Sequence, residues 1–242
     1  MFERPQHRLV LAVLQALRSD VLADYRFLFA GGTRIVLELQ EYRVSKDIDF
    51  VCSQAEGYAQ LRLATSQRSY AALFTPEGQA RFQFPREIRV DQYGIRFPVA
   101  YGDDRLGVEL IREARIELDP GKRPPWSPVD CLSIEDCYAE KLLANSDRWA
   151  DRQVLSRDLV DLAALREQIG PIPEASWRKA EAAYKSAPKA DLVKALTAFA
   201  EDADHRRRCF DGLNVVDNLK ILNGLALLRE DLGLPQAPPG GK

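Results

Sequence analysis

Hydrophobic residues near the N-terminus recur at steps of three and four, which is the spacing of an amphipathic helix. They form two neighbouring lines, Leu9, Val13 and Leu17, and Val10, Leu14 and Val21. The pattern predicts a helix from about residue 5 to 22. A short apolar run follows at residues 27–30 and ends at Gly31-Gly32, which predicts a strand and a tight turn. Thr33 is then expected to cap the next helix.

The central part of the chain has the alternating pattern of strands. Residues 47–51 predict a second strand, and residues 56–64 predict a helix. Between residues 78 and 118, apolar and polar residues alternate, with turn signals at 93–94 and 102–104. The alternating stretches are Arg81–Phe84, Ile88–Val90, Ile95–Phe97 and Val108–Ile111. This region therefore predicts a meander of antiparallel strands.

Helical patterns dominate after residue 128. Residues 120–125 contain three prolines and one glycine, cannot continue a strand or a helix, and predict a domain boundary. Helices are expected near residues 134–145, 153–169, 174–185, 189–200 and 211–232. We predict an α+β protein with a mixed or antiparallel sheet. Its α/β core spans residues 1–119, a helical domain spans residues 120–234, and a disordered tail spans residues 235–242.

Composition narrows the class of protein. Of the 242 residues, 46% are hydrophobic, and 34 basic against 36 acidic side chains give a formal charge of -2. A folded core is expected, and a disordered or fibrous chain is excluded. The balanced charge argues against a coat of basic residues but leaves local basic patches open.

The absence of certain motifs from the sequence bears on the location of the protein and on zinc binding. No apolar run approaches the ~18 residues of a membrane helix, and the first residues do not resemble a signal peptide, so we expect a cytoplasmic protein with no membrane contact. The four cysteines have no CxxC or CxxH spacing. Reduced, buried thiols are therefore favoured over a zinc site.

Two aspartates in the second predicted strand are the first sign of chemistry. Aspartate is a poor strand former, yet Asp47 and Asp49 alternate with the apolar Ile48 and Phe50. Because strand side chains alternate between faces, the two carboxylates share one face. They repel each other unless cations hold them, and two divalent metals on such a pair serve phosphoryl or nucleotidyl transfer. Mg²⁺ suits these oxygen ligands, with Mn²⁺ as the alternative.

The glycine pair upstream indicates where a phosphate would bind. Gly31 and Gly32 at a strand end let backbone N–H groups approach a phosphate, and the following helix start adds a favourable dipole. With the aspartates, they describe a site for a nucleoside triphosphate (NTP). An isolated Asp-x-Asp or Gly-Gly also occurs in ordinary solvated turns, and this alternative stays open.

Three segments together form a recognisable set of motifs. They are Gly31-Gly32-Thr33 with Arg43–Phe50, then Glu140–Ala144, and finally Arg157–Leu162. In this order they resemble the motifs of the AbiE-type (AbiEii/AbiGii) abortive-infection nucleotidyltransferase toxins. The resemblance covers about residues 27–165, and it implies the polymerase-β-like nucleotidyltransferase fold.

The resemblance also implies an enzyme and assigns roles to its residues. The catalytic residues it implies are Asp47, Asp49, Lys141 and Asp158. The nucleotide-binding residues it implies are Gly31, Gly32, Thr33, Arg43, Ser45 and Lys141. The paired aspartates would bind metal, the lysine would contact the phosphates, and the helical domain would complete the active site.

A third metal ligand is expected from the meander, on a strand beside the aspartates. Glu109, between Val108 and Leu110, is the first choice, and Glu113 is the second. A charged residue on the solvated face of a meander is the ordinary alternative.

Lys141 and Asp158 are expected to point inward. Asp158 shares a helix face with Leu155 and Leu162, and Lys141 follows Cys137 at a helical step. A bound triphosphate would satisfy the lysine. Alternatively, the two residues form a buried ion pair between packed helices.

Two arginine clusters are candidates for RNA contact. One is Arg206–Arg208, for which the ordinary alternative is a helix start neutralised by the acidic residues that flank it, and the other comprises Arg81, Arg86, Arg89 and Arg96 on the meander. His7 and His205 have no partner at ligand spacing and are expected at the surface.

The leading hypothesis is a Mg²⁺-dependent nucleotidyltransferase that attaches a nucleotide from an NTP to an acceptor hydroxyl and releases pyrophosphate. By resemblance, the acceptor is the 3′ end of a tRNA, and the enzyme is a toxin neutralised by a separately encoded antitoxin. Two alternatives remain. One is transfer to a small-molecule or protein hydroxyl, and the other is an inactive binding module with the same fold.

Overall fold

Residues 2–235 are described by the computed structural model, and they fall into two units. The first unit contains residues 2–34 and 45–133, and the second contains residues 35–44 and 134–235. The predicted α+β class is confirmed, since the first unit is built on a sheet and the second is helical. The predicted disordered tail lies outside the described residues, except for Pro235.

A five-stranded mixed sheet forms the centre of the first unit. Its strands are β1 (Leu28–Ala30), β2 (Ile48–Cys52), β3 (Arg89–Val90), β4 (Gly94–Tyr101) and β5 (Asp104–Arg112). The order across the sheet is β1-β2-β5-β4-β3. Only β2 and β5 run parallel, and the other neighbouring pairs are antiparallel. The parallel pair requires the long crossover that contains β3 and β4.

Five helices begin in the first unit. They are α1 (Pro5–Ala16), α2 (Ser19–Asp24), α3 (Gly31–Glu38), α4 (Ala55–Arg68) and α5 (Pro76–Arg81), and a 3₁₀ turn (Ser69–Ala72) precedes α5. The single helix predicted over residues 5–22 is wrong. It breaks after α1 because Leu17 pairs with Phe74 and the Arg18 N–H donates to the Leu73 carbonyl at 2.8 Å.

The meander is confirmed in β3, β4 and β5, but the strand predicted at residues 81–84 is wrong. Thr75 caps α5, and its hydroxyl accepts from the Gly78 N–H at 3.0 Å. Pro76 suits the first helical position, so the chain is helical up to Arg81, and residues 82–84 follow the helix without forming a strand. Only Gln83 makes a strand-like pair, with Ala100.

Residues 120–133 belong to the first unit. Lys122 and Cys131 exchange backbone hydrogen bonds of 3.1 and 2.7 Å, and Cys131 also bridges to Phe29 of β1. The functional division predicted at residue 120 stays a prediction.

Six helices form most of the second unit. They are α6 (Ile134–Arg148), α7 (Arg157–Gln168), α8 (Glu174–Tyr184), α9 (Ala187–Glu201), α10 (Ala203–Leu213) and α11 (Asn218–Asp231). The end of α3 and the loop after it also belong to this unit. Two backbone hydrogen bonds of 2.9 Å hold the loop, from Val44 N–H to the Leu213 carbonyl and from Val216 N–H to the Tyr42 carbonyl.

Two helix predictions in this unit need correction. The helix predicted from residue 153 begins at Arg157, because Leu155 and Ser156 have φ angles of 54° and 48° and interrupt it. The single helix predicted over residues 211–232 is two helices. Asn214 ends α10 at a φ of 50°, and the Asp217 carboxylate caps α11.

The predicted surface position of the histidines is wrong. His7 is fully buried, and His205 is 7% exposed beside Ser156 and Cys209. The four cysteines are buried and form no disulfide in the described chain, as expected. Among the helices of residues 2–235, none combines the length and apolar character of a membrane span.

Candidate active site

The two aspartates flank the first residue of β2 and differ in environment from their apolar neighbours. Ile48 and Phe50 are fully buried, whereas Asp47 is exposed and Asp49 is partly exposed. This is the alternation that a half-buried strand requires. Phe50 packs on Phe29 with ring centroids 5.6 Å apart, so the apolar side of the strand is fixed in the core.

Register places a third carboxylate on the same face of the sheet. Glu109 on β5 is the Cα partner of Asp49 on the parallel strand β2. Directly paired residues project to the same side, so the two side chains are neighbours. Glu109 also lies 3.5 Å from Arg96 Nε. Within the described residues, three or more acidic, histidine or cysteine side chains do not gather around a common metal position.

Glycines make room for the aspartate oxygens. Gly31 has a φ of +72°, and a Cβ added there would lie 2.1 Å from Asp49 Oδ2. A Cβ on Gly107 would lie 3.4 Å from Asp47 Oδ1. Helix α3 begins at Gly31, so its first N–H groups, which have no partner within the helix, and the positive end of its dipole belong to the same region as the Asp49 carboxylate.

Thr33 does not cap the helix as predicted, because α3 already starts at Gly31. Its buried hydroxyl donates to the Asp47 carbonyl at 2.5 Å and lies 2.8 Å from Ser45 Oγ. Since a hydroxyl has one hydrogen, Ser45 must be the donor to Thr33. The Ser45 N–H donates to His7 Nε2 at 3.2 Å, which indicates the histidine tautomer with its proton on Nδ1. These contacts hold the chain just before β2.

Replacing Gly31 by alanine is expected to impair both stability and activity. The new Cβ would collide with the Asp49 carboxylate, and the backbone would pay about 1–2 kcal/mol for its left-handed conformation. The matched control is Gly102→Ala, since Gly102 has a φ of +59° but open space around the added Cβ. Urea unfolding should show a lower free energy of unfolding in both variants, whereas the rate of nucleotide transfer should fall only in Gly31→Ala. Equal rates in the two variants would contradict this role for Gly31.

The remaining predicted residues lie in the helical unit, in a network of three cations and two carboxylates. Lys141 Nζ lies 2.8 Å from Asp158 Oδ1 and 2.7 Å from Asp161 Oδ2. Arg43 binds Asp161 through two nitrogens, at 2.7 and 2.9 Å. Arg148 binds Asp158 in the same way, at 2.6 and 3.0 Å. The buried ion pair considered from the sequence is therefore present.

Asp161 is the centre of this network, and neither it nor Arg148 was assigned a role from the sequence. Asp161 is fully buried and also accepts from the Tyr42 hydroxyl at 2.6 Å. Helical spacing offered a signal, because Asp161 follows Asp158 by three residues and Arg148 follows Lys141 by seven.

Burial and charge oppose each other in the pKa values of this network. Burial alone would raise the pKa of Asp158, but Lys141 and Arg148 hold it well below the ordinary carboxyl range. Burial would lower the pKa of Lys141, but Asp158 and Asp161 raise it above its usual value. The pKa of Asp161 is also lowered despite burial, mainly by Arg43 and Lys141. All these groups are therefore charged at neutral pH.

The network predicts how the free energy of unfolding changes at acidic pH. A carboxylate whose folded pKa is depressed stabilises the fold above its unfolded pKa of about 3.9, and this contribution disappears as pH falls towards the folded value. Urea unfolding should therefore show stability falling steeply below about pH 4. Asp158→Asn should lose part of this slope, besides being less stable at neutral pH. An unchanged slope in Asp158→Asn would contradict the assignment.

The predicted site residues thus fall into two groups. The sheet unit contains Gly31, Gly32, Thr33, Ser45, Asp47, Asp49 and Glu109. The helical unit contains Arg43, Lys141 and Asp158. The first group combines carboxylates with a helix start, which suits metal and phosphate, and the second group is a salt-bridged buried network.

Solved structures with a similar fold include two from Helicobacter pylori. A candidate nucleotidyltransferase from H. pylori aligns with a TM-score of 0.51 and 17% identity, covering 94% of this chain and 95% of that chain. The protein JHP933 from Helicobacter pylori aligns with a TM-score of 0.55 and 17% identity, covering 96% and 95%. At this identity the likeness establishes the fold alone. No curated protein sequence matches the chain.

The family comparison reaches further than the fold. The family model described as "Nucleotidyl transferase AbiEii toxin, Type IV TA system" matches residues 12–213, which is most of the chain. The chain is therefore a nucleotidyltransferase of the AbiEii toxin family, which belongs to type IV toxin–antitoxin systems.

Proposed function

We propose that this enzyme transfers a nucleoside monophosphate from an NTP to the 3′ hydroxyl of a tRNA, with Mg²⁺ held by Asp47 and Asp49. The observation that carries the proposal is the position of the Asp49 carboxylate. It lies against Gly31 at the start of α3 and is paired in register with Glu109. Carboxylates and phosphate-binding N–H groups are both required where a metal and a triphosphate bind together.

The donor set fits Mg²⁺. In phosphoryl-transfer sites this ion is usually held by one or two carboxylates, with water and substrate phosphates as its other ligands. Asp47 and Asp49 supply these two carboxylates. We propose Glu109 as an additional ligand, which the site can use but does not require. Mn²⁺ prefers the same oxygen donors. When bound, the metal supplies positive charge against the triphosphate and the leaving pyrophosphate.

The side chains and backbone of the sheet unit have distinct proposed roles. The N–H groups of Gly31 and Gly32 bind the triphosphate, while Thr33 and Ser45 hold the backbone that presents Asp47. The acceptor oxygen attacks the α-phosphorus, the bond to the bridging oxygen breaks, and pyrophosphate leaves. The hydroxyl proton passes to a carboxylate of the site.

Lys141, Asp158 and Arg43 enter the proposal through the family resemblance. Their roles in phosphate binding and catalysis stay predictions. In the helical unit their charges are paired with one another and with Asp161, and no contact among them points to a phosphate. We also propose that the enzyme acts in the cytoplasm and that its antitoxin counteracts it there.

A labelling experiment tests the acceptor. The protein is incubated with Mg²⁺, total RNA and each of the four NTPs in turn, labelled at the α-phosphate. The expected result is label in tRNA-sized RNA, removable by ribonuclease and resistant to protease. Removing the metal with a chelator should abolish it, and Mg²⁺ or Mn²⁺ should restore it.

Other outcomes identify the alternatives. Label that protease removes would favour a protein acceptor, and label in small products would favour a small-molecule acceptor. Absence of label, together with no Mg²⁺-dependent thermal stabilisation by any NTP, would favour an inactive binding module. Each of these results would overturn the tRNA proposal.

A further inference from the structure

A row of charged residues crosses the sheet at the level of the aspartate pair. Arg89 on β3 is paired with Arg96 on β4, Arg96 is paired with Glu109 on β5, and Glu109 is paired with Asp49 on β2. Directly paired residues share a face, so two arginines and two carboxylates follow one another along one side of the sheet.

The arginine half of the row lines a groove of about 350 Å³. We call it the arginine groove, and its charged lining residues are the three arginines Arg86, Arg89 and Arg96 and the two glutamates Glu87 and Glu109. Arg86 and Arg89 are exposed and form no ion pair with any described residue. Arg89 and Arg96 are paired directly across strands, so their like charges repel each other, and Asp91 and Glu109 beside Arg96 offset part of this repulsion.

The third arginine has a defined orientation. Arg96 lies 3.2 Å from Asp91 and 3.5 Å from Glu109, so its side chain is tied on both sides. Its guanidinium passes close over Gly94, where an added Cβ would lie 2.9 Å from the carbon of that group. The groove therefore contains one oriented arginine and two that are available to a ligand.

The position of the groove relative to the aspartates indicates which substrate it holds. Gly31 follows β1, at one side of Asp49, while the arginines lie on β4 and β3, beyond Glu109 on the other side. In the transfer reaction the attacking oxygen and the leaving pyrophosphate stand on opposite sides of the α-phosphorus. With the triphosphate at Gly31 and its phosphates directed along the row, the attacking oxygen comes from the side of the arginines.

We propose that the arginine groove binds the backbone phosphates of the RNA strand just before its attacked 3′ hydroxyl. Arg86 and Arg89 act as phosphate-binding residues, and Arg96 positions the strand beside Glu109. The inference rests on the proposed function and deepens it, since a nucleic-acid end is the acceptor that carries both a hydroxyl and regularly spaced phosphates. Such contacts position a strand without reading its bases.

The test uses the full chain with Arg86→Ala and Arg89→Ala combined, and Arg62→Ala as control. Arg62 is an exposed arginine on α4 that does not line the groove and forms no ion pair with a described residue. The double variant should raise the KM for RNA by at least about tenfold, with the KM for NTP unchanged. Two lost contacts with single-stranded phosphates should also reduce the slope of log(kcat/KM) against log salt by about 1.4.

The outcomes separate this inference from the proposed function. A double variant that labels RNA with the wild-type KM and salt slope would overturn the role of the groove and leave the function standing. Equal effects of Arg62→Ala and the double variant would also overturn it, since they would show a general charge effect. If the wild-type enzyme labels no RNA, the proposed function itself fails, and the inference fails with it.

Discussion

Replacing Asp49 by asparagine is expected to lower the rate of nucleotide transfer by about 100- to 1,000-fold or more. Asparagine has nearly the same shape, so the side chain still fits beside Gly31 and Glu109. It lacks the negative charge that a divalent cation requires of its ligands. The loss should appear in kcat at saturating NTP and RNA.

The fold should survive this change. Removing one of two nearby carboxylates relieves repulsion, which offsets the lost attraction between the Asp49 charge and the start of α3, so the thermal midpoint should change little. Asp103→Asn is the matched control. It makes the same chemical change at a residue that is exposed in the turn between β4 and β5. Transfer by Asp49→Asn within threefold of the Asp103→Asn rate would exclude Asp49 from the reaction.

Replacing Asp161 by asparagine is expected to destabilise the protein by about 3–5 kcal/mol. The variant leaves Arg43 and Lys141 buried with fewer negative partners, and Tyr42 loses its charged acceptor. Breaking one partner of a buried ion pair is costly because the remaining charge is not compensated. In thermal unfolding, a loss of this size corresponds to roughly 6–20 °C.

An exposed ion pair of the same unit provides the control. Asp204 lies 2.8 Å from Arg207, and both side chains are about 70% exposed, so Asp204→Asn should cost less than about 1 kcal/mol. If the two variants unfolded at the same temperature, the network around Asp161 would have no special structural importance. The ion pairs of Lys141 would then contribute little to stability, and substrate binding would be the better explanation of its position.

The chemistry of β2 could be predicted from the sequence because it depends on a local pattern. Alternation alone places Ile48 and Phe50 in the core and Asp49 on the opposite face. From the sequence, Glu109 could be chosen only because the site was expected to need a third ligand. Its position beside Asp49 depends on the register of β2 against β5, which joins residues 60 positions apart. Roles for the helical residues came from family resemblance.

Errors arose where long-range contacts override local patterns. Leu17 and Phe74 interrupt a helix whose periodicity continues through the break. Thr33 has the residue type of a helix cap, but its hydroxyl binds the Asp47 carbonyl, because the helix can start two residues earlier at glycine. The nucleotide-binding role of Arg43 stays a prediction, but its contact with Asp161 could not be read from a local pattern, because the two residues lie 118 positions apart.

The position of the label in the NTP tests the central claim most directly. The enzyme is incubated with RNA, Mg²⁺ and the preferred NTP, labelled either at the α-phosphate or at the γ-phosphate. A nucleotidyltransferase retains the α-label on the RNA and releases the γ-label as pyrophosphate. Label from the γ-position on the RNA, or no α-label on the RNA at all, would contradict the proposed transfer to RNA at Asp47 and Asp49.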